Sequence, residues 1–229
     1  MKNVKILTAG GVIALIIVLL VVVTHKSPET ETGVMSLREA ERQVQELKEK
    51  IKVPIDEETR KKIDGLVNDL ARDHEYTAEF NGQKYSVAWK ARGDLLRIGD
   101  AALPQLIDAA AAHNNPSVRQ DAVGTIYLGI KGAGDDKLLE YLPVFVRSTY
   151  DKDVEVRVTA MGHVGNMARL FYRRERHEEL EQLIPYLAKA LRDKEERMQS
   201  VAAGNLFRVG RKDLIPEELI DKYGIDKEW

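Results

Sequence analysis

No cysteine occurs in the 229 residues. That absence excludes a disulfide framework, a thiol nucleophile and a lipid-modified N-terminal cysteine. Charge of neither sign dominates, since 35 Lys and Arg stand against 37 Asp and Glu for a net of −2. The basic excess of a nucleic-acid binder is missing, so nucleic acid is not an expected partner. Histidines are few, at 25, 74, 113, 163 and 177, and no two have metal-ligand spacing. His177, Glu178 and Glu179 lack the second His of a zinc-hydrolase helix. His163, on a repeated helix, reads as a packing or rim residue. The glycine-rich stretch 131–135 lacks Walker spacing, and no serine stands in a Gly-x-Ser-x-Gly elbow. Catalytic residues, metal and cofactor are all unexpected.

Long apolar runs are absent too, with one exception. Residues 6–24 carry no charge and are bounded by Lys2 and Lys5 on one side and His25 and Lys26 on the other. At 1.5 Å per residue they span about 28 Å, close to the hydrocarbon thickness of a bilayer. The run exceeds the apolar stretch of a cleaved signal peptide and no Ala-x-Ala site follows. Residues 1–26 therefore read as a single transmembrane signal anchor, with a cleaved signal as the alternative. The positive-inside bias is slight, because Lys26, Arg38 and Arg42 follow the run. The expected arrangement is a C-terminal domain on the extracytoplasmic side, the periplasmic side in a bacterium.

What the chain does have is a recurring phrase. Ala91 and Gly93, Ala122 and Gly124, Ala160 and Gly162, Ala202 and Gly204 each stand between apolar residues four before and four after the Ala. The earlier residues are Val87, Val118, Val156 and Met198; the later ones are Leu95, Ile126, Val164 and Leu206. Spacing of four along one stripe marks an amphipathic helix. Downstream come Leu103-Pro104, Leu142-Pro143, Ile184-Pro185 and Ile215-Pro216, each at a second apolar run. Each unit is thus helix, turn, helix. Successive Ala positions lie 31, 38 and 42 residues apart, the period of stacked helical hairpins. The small residues are expected at helix crossings, where they let backbones approach closely. The Ala-to-Pro distance grows from 13 and 14 in the outer units to 21 and 25 in the middle ones, which places insertions near 131–138 and 167–180.

The turns carry further agreement. Asn115-Pro116-Ser117-Val118-Arg119 and Asp153-Val154-Glu155-Val156-Arg157 pair an acidic or polar turn with Val-Arg, and Ala follows three residues later. Together with the segment 98–106, these units resemble HEAT-like repeats over roughly residues 86–222. Ala88 and Gln199 replace the family's Arg in the first and last units, as terminal repeats would. The resemblance implies an all-α fold, a short right-handed α-solenoid of about four hairpins, and a protein-binding or scaffolding role in the cell envelope. Lyase-like or cofactor-handling enzymes of similar build, and a structural envelope stalk, are the alternatives.

Around the repeats, residues 27–35 read as a polar linker and 36–53 as an amphipathic helix opened by a Ser36/Glu39 capping box. Its Leu37, Ala40, Val44, Leu47 and Ile51 can pack on the first repeat, form a stalk, or make a dimer seam; the oligomeric state stays open. The repeat domain is expected over 56–224, with Asp56 capping its first helix, and a tail over 225–229. Residues 75–88 fit either a small hairpin about Asn81-Gly82 or an irregular loop. Arg169, Arg173, Arg174 and Arg176, interleaved with Phe171 and Tyr172, read as an ion-paired helix extension or as a contact for anionic headgroups, phosphate or an acidic partner. Counting from each proline, Gln105, Val144 and Tyr186 should form one stripe along the second helices, and Asp108, Arg147 and Lys189 another. These six are the expected protein-binding residues.

Overall fold

Residues 33–80 and 83–225 are described by a computed structural model, with the side chains of 77–82 outside that description. The apolar run 6–24 and the tail beyond Ile225 also lie outside the described residues. The chain divides into residues 1–35 and a compact unit beginning at Ser36. That unit is predominantly helical.

Serine and aspartate set its first helix starts. The Ser36 hydroxyl accepts the Glu39 amide to open α1 (Leu37–Lys50), and Asp56 accepts the Thr59 amide to open α2 (Glu57–Asp69). The capping box is half formed, because the Glu39 carboxylate turns to Arg42 and Gln43 instead of the cap. Of the two readings for 75–88, the hairpin is found: β1 (Tyr76–Phe80) pairs antiparallel with β2 (Gln83–Ser86). Ser86 then caps α3 (Val87–Ile98), and a 3₁₀ turn leads into α4 (Leu103–Ala112), with Pro104 at its second position.

The later units follow the same pattern with local changes. They comprise α5 (Pro116–Ile130), α6 (Asp135–Glu140) and α7 (Leu142–Ser148), then α8 (Val154–Arg173) with α9 (His177–Ala190), then α10 (Glu196–Arg208) with α11 (Glu217–Tyr223). The insertions become helix. One is the short α6; the other lengthens α8 and starts α9 seven residues before Ile184. Pro185 therefore lies inside α9 instead of near a helix start, and the hydrogen bond it would donate to the Glu181 carbonyl is lost. Leu183, Ile184 and Leu187 around it are buried, so packing outweighs that loss.

The first helices pack in order, α3 on α5, α5 on α8 and α8 on α10, and each second helix packs on the first helix of the next unit. All four repeated Ala residues are buried at these contacts. Their glycine partners are not. Gly93 and Gly162 face open space, and a side chain at Gly124 or Gly204 would make only ordinary contact. The expectation that both small residues sit at helix crossings thus holds for Ala alone. The close approach falls instead at Gly165, where a Cβ would overlap the buried Asn205 of α10.

Between units, the turns are tied by one arginine position. Arg119 of α5 donates to the carbonyls of His113 and Asn114 in its own turn, at 2.8 and 3.2 Å. Its other edge grips both oxygens of Asp151 in the next turn, each at 2.8 Å. Arg157 of α8 repeats the first half on the carbonyls of Asp151 and Lys152, at 2.9 and 3.1 Å. Gln199 of α10 makes one bond to its own turn, 2.7 Å to the Asp193 carbonyl. The side chains of Asp151 and Asp193 each accept the amide two residues on, which shapes both turns alike.

Two glycines three residues apart on α8 separate the effects. Gly162→Ala gains up to about 1 kcal/mol of helix propensity and meets nothing. Gly165→Ala is expected to lose a net 1–2 kcal/mol, roughly, through overpacking against Asn205. Chemical denaturation of the two variants gives opposite signs on this account.

Candidate partner-binding surface

The second helices carry the six expected residues, and helix α1 decides their exposure. This helix packs on α7 and touches α4, burying Ala40, Val44 and Leu47. It therefore lies over the second helices of the first two units and buries the middle of its apolar stripe there, while Leu37 at its start stays exposed. Lys48 near its C-terminal end pairs with Asp108 of α4.

Val144 is only 2% exposed and Tyr186 7%, so neither belongs to a surface stripe. The reason is that the residue after the proline faces inward in both units: it lies among Leu142, Phe145 and Val146 on α7 and among Leu183, Ile184 and Leu187 on α9, all buried. Helix α7 is moreover covered by α1 and by α8, and Leu142 through Val146 are all buried. Gln105 is half-buried, with a side-chain oxygen that has no hydrogen-bond partner.

The other stripe does reach the surface. Asp108 is exposed and engaged by Lys48. Arg147 is half-buried and donates a long bond of 3.4 Å to the Ala110 carbonyl. Lys189 is exposed, lies 2.8 Å from the Tyr150 hydroxyl and sits 4.7 Å over that ring. Arg147 and Tyr150 share a depression of about 270 Å³ with Lys152 and with Leu37 and Glu41 of α1. Gln105 and Asp108 line another, about 480 Å³, with Lys48, Lys52 and Arg60. Helix α1 contributes to both depressions, Leu37 and Glu41 to one and Lys48 to the other. The amphipathic stripe of α1 is legible in the sequence, but nothing in it names α7 as the face it covers.

Beneath the first depression lies the Arg119–Asp151 pair, both side chains about 95% buried. Burial alone would raise the Asp151 carboxyl, but bonds from Arg119 and the Asp153 amide, with the charges of Arg119 and Arg147, hold it below the usual range. Asp151 is therefore an anchored anion.

The remaining titratable groups divide between bracing and packing. Arg174 and Arg176 from the second insertion pair with Asp135 from the first, and Arg176 also reaches Glu179. That half of the arginine cluster is ion-paired. His163 stacks on Tyr127 at 4.4 Å and lies 5.9 Å from Phe145. It is a packing residue, yet both ring nitrogens are buried without partners. Desolvation pushes its pKa down to about 4. Among the described residues, no group of His, Asp and Glu is placed to hold a metal ion, and no helix is long and apolar enough to cross a membrane.

No protein-family model matches the chain, and no curated protein or solved structure matches it with significance.

His163 gives a pH dependence with a defined sign. Its folded pKa of about 4 lies below the unfolded value of 6.5, so below 6.5 the unfolded chain binds a proton that the folded chain refuses. Stability is expected to be full above pH 6.5 and to fall by up to about 3 kcal/mol as pH drops to 4. Denaturation of His163→Phe over the same range isolates this contribution as the part of the pH slope that disappears.

Proposed function

We propose that this chain is a HEAT-like α-solenoid, anchored in a membrane by residues 6–24, that binds a protein partner through its second-helix side. The partner surface is centred on Arg147, Tyr150 and Lys189, on the extracytoplasmic side of the membrane. The chain acts as a scaffold and performs no reaction of its own.

One observation carries the reading most directly. Arg119, Arg157 and Gln199 make the same contact with their own preceding turns, so three successive units share a turn as well as a helix pattern. Repetition of that kind supports stacked hairpins, whose equivalent edges line up into an extended binding face. The charged rim of Arg147 and Lys189 beside the Tyr150 ring has the composition of a protein-binding patch, while an enclosed apolar pocket would suit a small molecule. The stalk reading needs the α1 stripe free for a second copy, and Ala40, Val44 and Leu47 are already buried within the chain.

Arg147→Glu with Lys189→Glu reverses two surface charges that make no ion pair with another described residue. Crosslinking in intact cells followed by purification should recover the partner at least several-fold less from the double variant, with the helical circular-dichroism signal retained at the assay temperature although the reversal near Asp151 lowers the melting temperature. Recovery of every crosslinked protein at the wild-type level would contradict the proposed surface.

A further inference from the structure

Aromatic rings stand outside the core where α3 begins. Trp89 is 55% exposed and stacks on Tyr85 of β2, with ring centroids 4.3 Å apart. Tyr76 of β1 is exposed as well. Tryptophan is highly buried on average, so an indole held at the surface by a second ring asks what covers it.

The fold places these rings on one edge. Arg92 of α3 pairs with Asp121 of α5, each six residues after its helix cap, Ser86 or Asn115, and further along Leu96 lies against Gly129. Gln120 of α5 donates to Thr159 of α8 at 3.0 Å, near the start of both helices, and further along Gly124 lies against His163. The first helices therefore run parallel and start level. Trp89, one turn into α3, lies at the edge formed by the turns that open α5 and α8. The chain enters the unit at this edge too: Leu37, the first residue of α1, lines a depression with His113 and Asn114 of one turn and Asp151 and Lys152 of the next.

We infer that Trp89 and Tyr85 seat in the headgroup layer of a bilayer, an inference that rests on the proposed anchoring by residues 6–24. Residues 25–35 reach at most about 40 Å when fully extended, which holds the edge where the chain enters close to the lipid surface. A short tether raises the local lipid concentration, so a weak contact suffices. Tryptophan and tyrosine suit that layer because each has an apolar body and a polar tip. Charge in the adjoining sequence is balanced, Arg72, Lys84 and Lys90 against Asp73, Glu75 and Asp94. The edge therefore fits zwitterionic headgroups and needs no anionic lipid.

The test uses the full chain reconstituted in phosphatidylcholine vesicles, with Trp229→Phe leaving Trp89 as the single indole. Lipid brominated just below the headgroup quenches an indole seated at that depth. Trp89 emission is expected to fall at least about twofold against unbrominated lipid, and to fall less when the bromine lies at the chain ends. A second indole supplies the contrast. Tyr172→Trp, combined with Trp89→Phe and Trp229→Phe, puts it about 27 Å along α8 from the helix start, where emission should change by no more than about a tenth. Washing the vesicles in alkaline carbonate separates this inference from the anchoring it rests on. A chain that washes off overturns both; a chain that stays while Trp89 is unquenched overturns the headgroup contact alone. Equal quenching at positions 89 and 172, or quenching of Trp89 by deep bromine only, also overturns it.

Discussion

Four of the five N–H groups on Arg119 are spent on two turns that lie on either side of it in sequence. Two go back to the turn that opens its own helix and two forward to Asp151, which shapes the turn opening α8. The pair is almost wholly out of water, where desolvation is expensive and removal of either partner leaves an uncompensated charge. Its role is therefore better read as fixing the register between neighbouring units than as adding net stability. Arg157 continues the pattern more loosely, 3.7 Å from Glu195, and Gln199 keeps the bond within its own turn while its side-chain oxygen accepts the Tyr223 hydroxyl of α11 at 2.8 Å. The ionic grip on the next turn thus gives way to a neutral contact with the following helix.

With the turns held in register, helix α1 decides which residues of the second helices stay open. The second-helix side is partly covered by α1, whose Lys48 reaches Asp108 and whose apolar stripe lies on α7. What stays open flanks that helix: one depression with Arg147 and Tyr150, another with Gln105 and Asp108.

Much of this was legible from spacing. The repeated Ala and its flanking apolar residues locate α3, α5, α8 and α10, because a stripe at every fourth residue has one helical solution. Ser36 and Asp56 locate two helix starts through their side-chain oxygens. Other features follow from tertiary geometry and leave no periodic trace. Gly162 and Gly165 look alike in sequence, yet only the second meets Asn205 across the crossing. Counting from proline aligns Val144 with Tyr186 but does not say which way that stripe faces, and both turn into the core. Arg174 and Arg173 are neighbours in the chain, and only the fold shows Asp135 beside one of them.

The most direct measurement is a double-mutant cycle on Arg119 and Asp151 by chemical denaturation of the full chain. If the pair is the clamp between units, each Ala substitution costs about 3–5 kcal/mol, and the double variant costs little more than either alone. Single costs that add to within about 0.5 kcal/mol would show two independent residues and contradict the account.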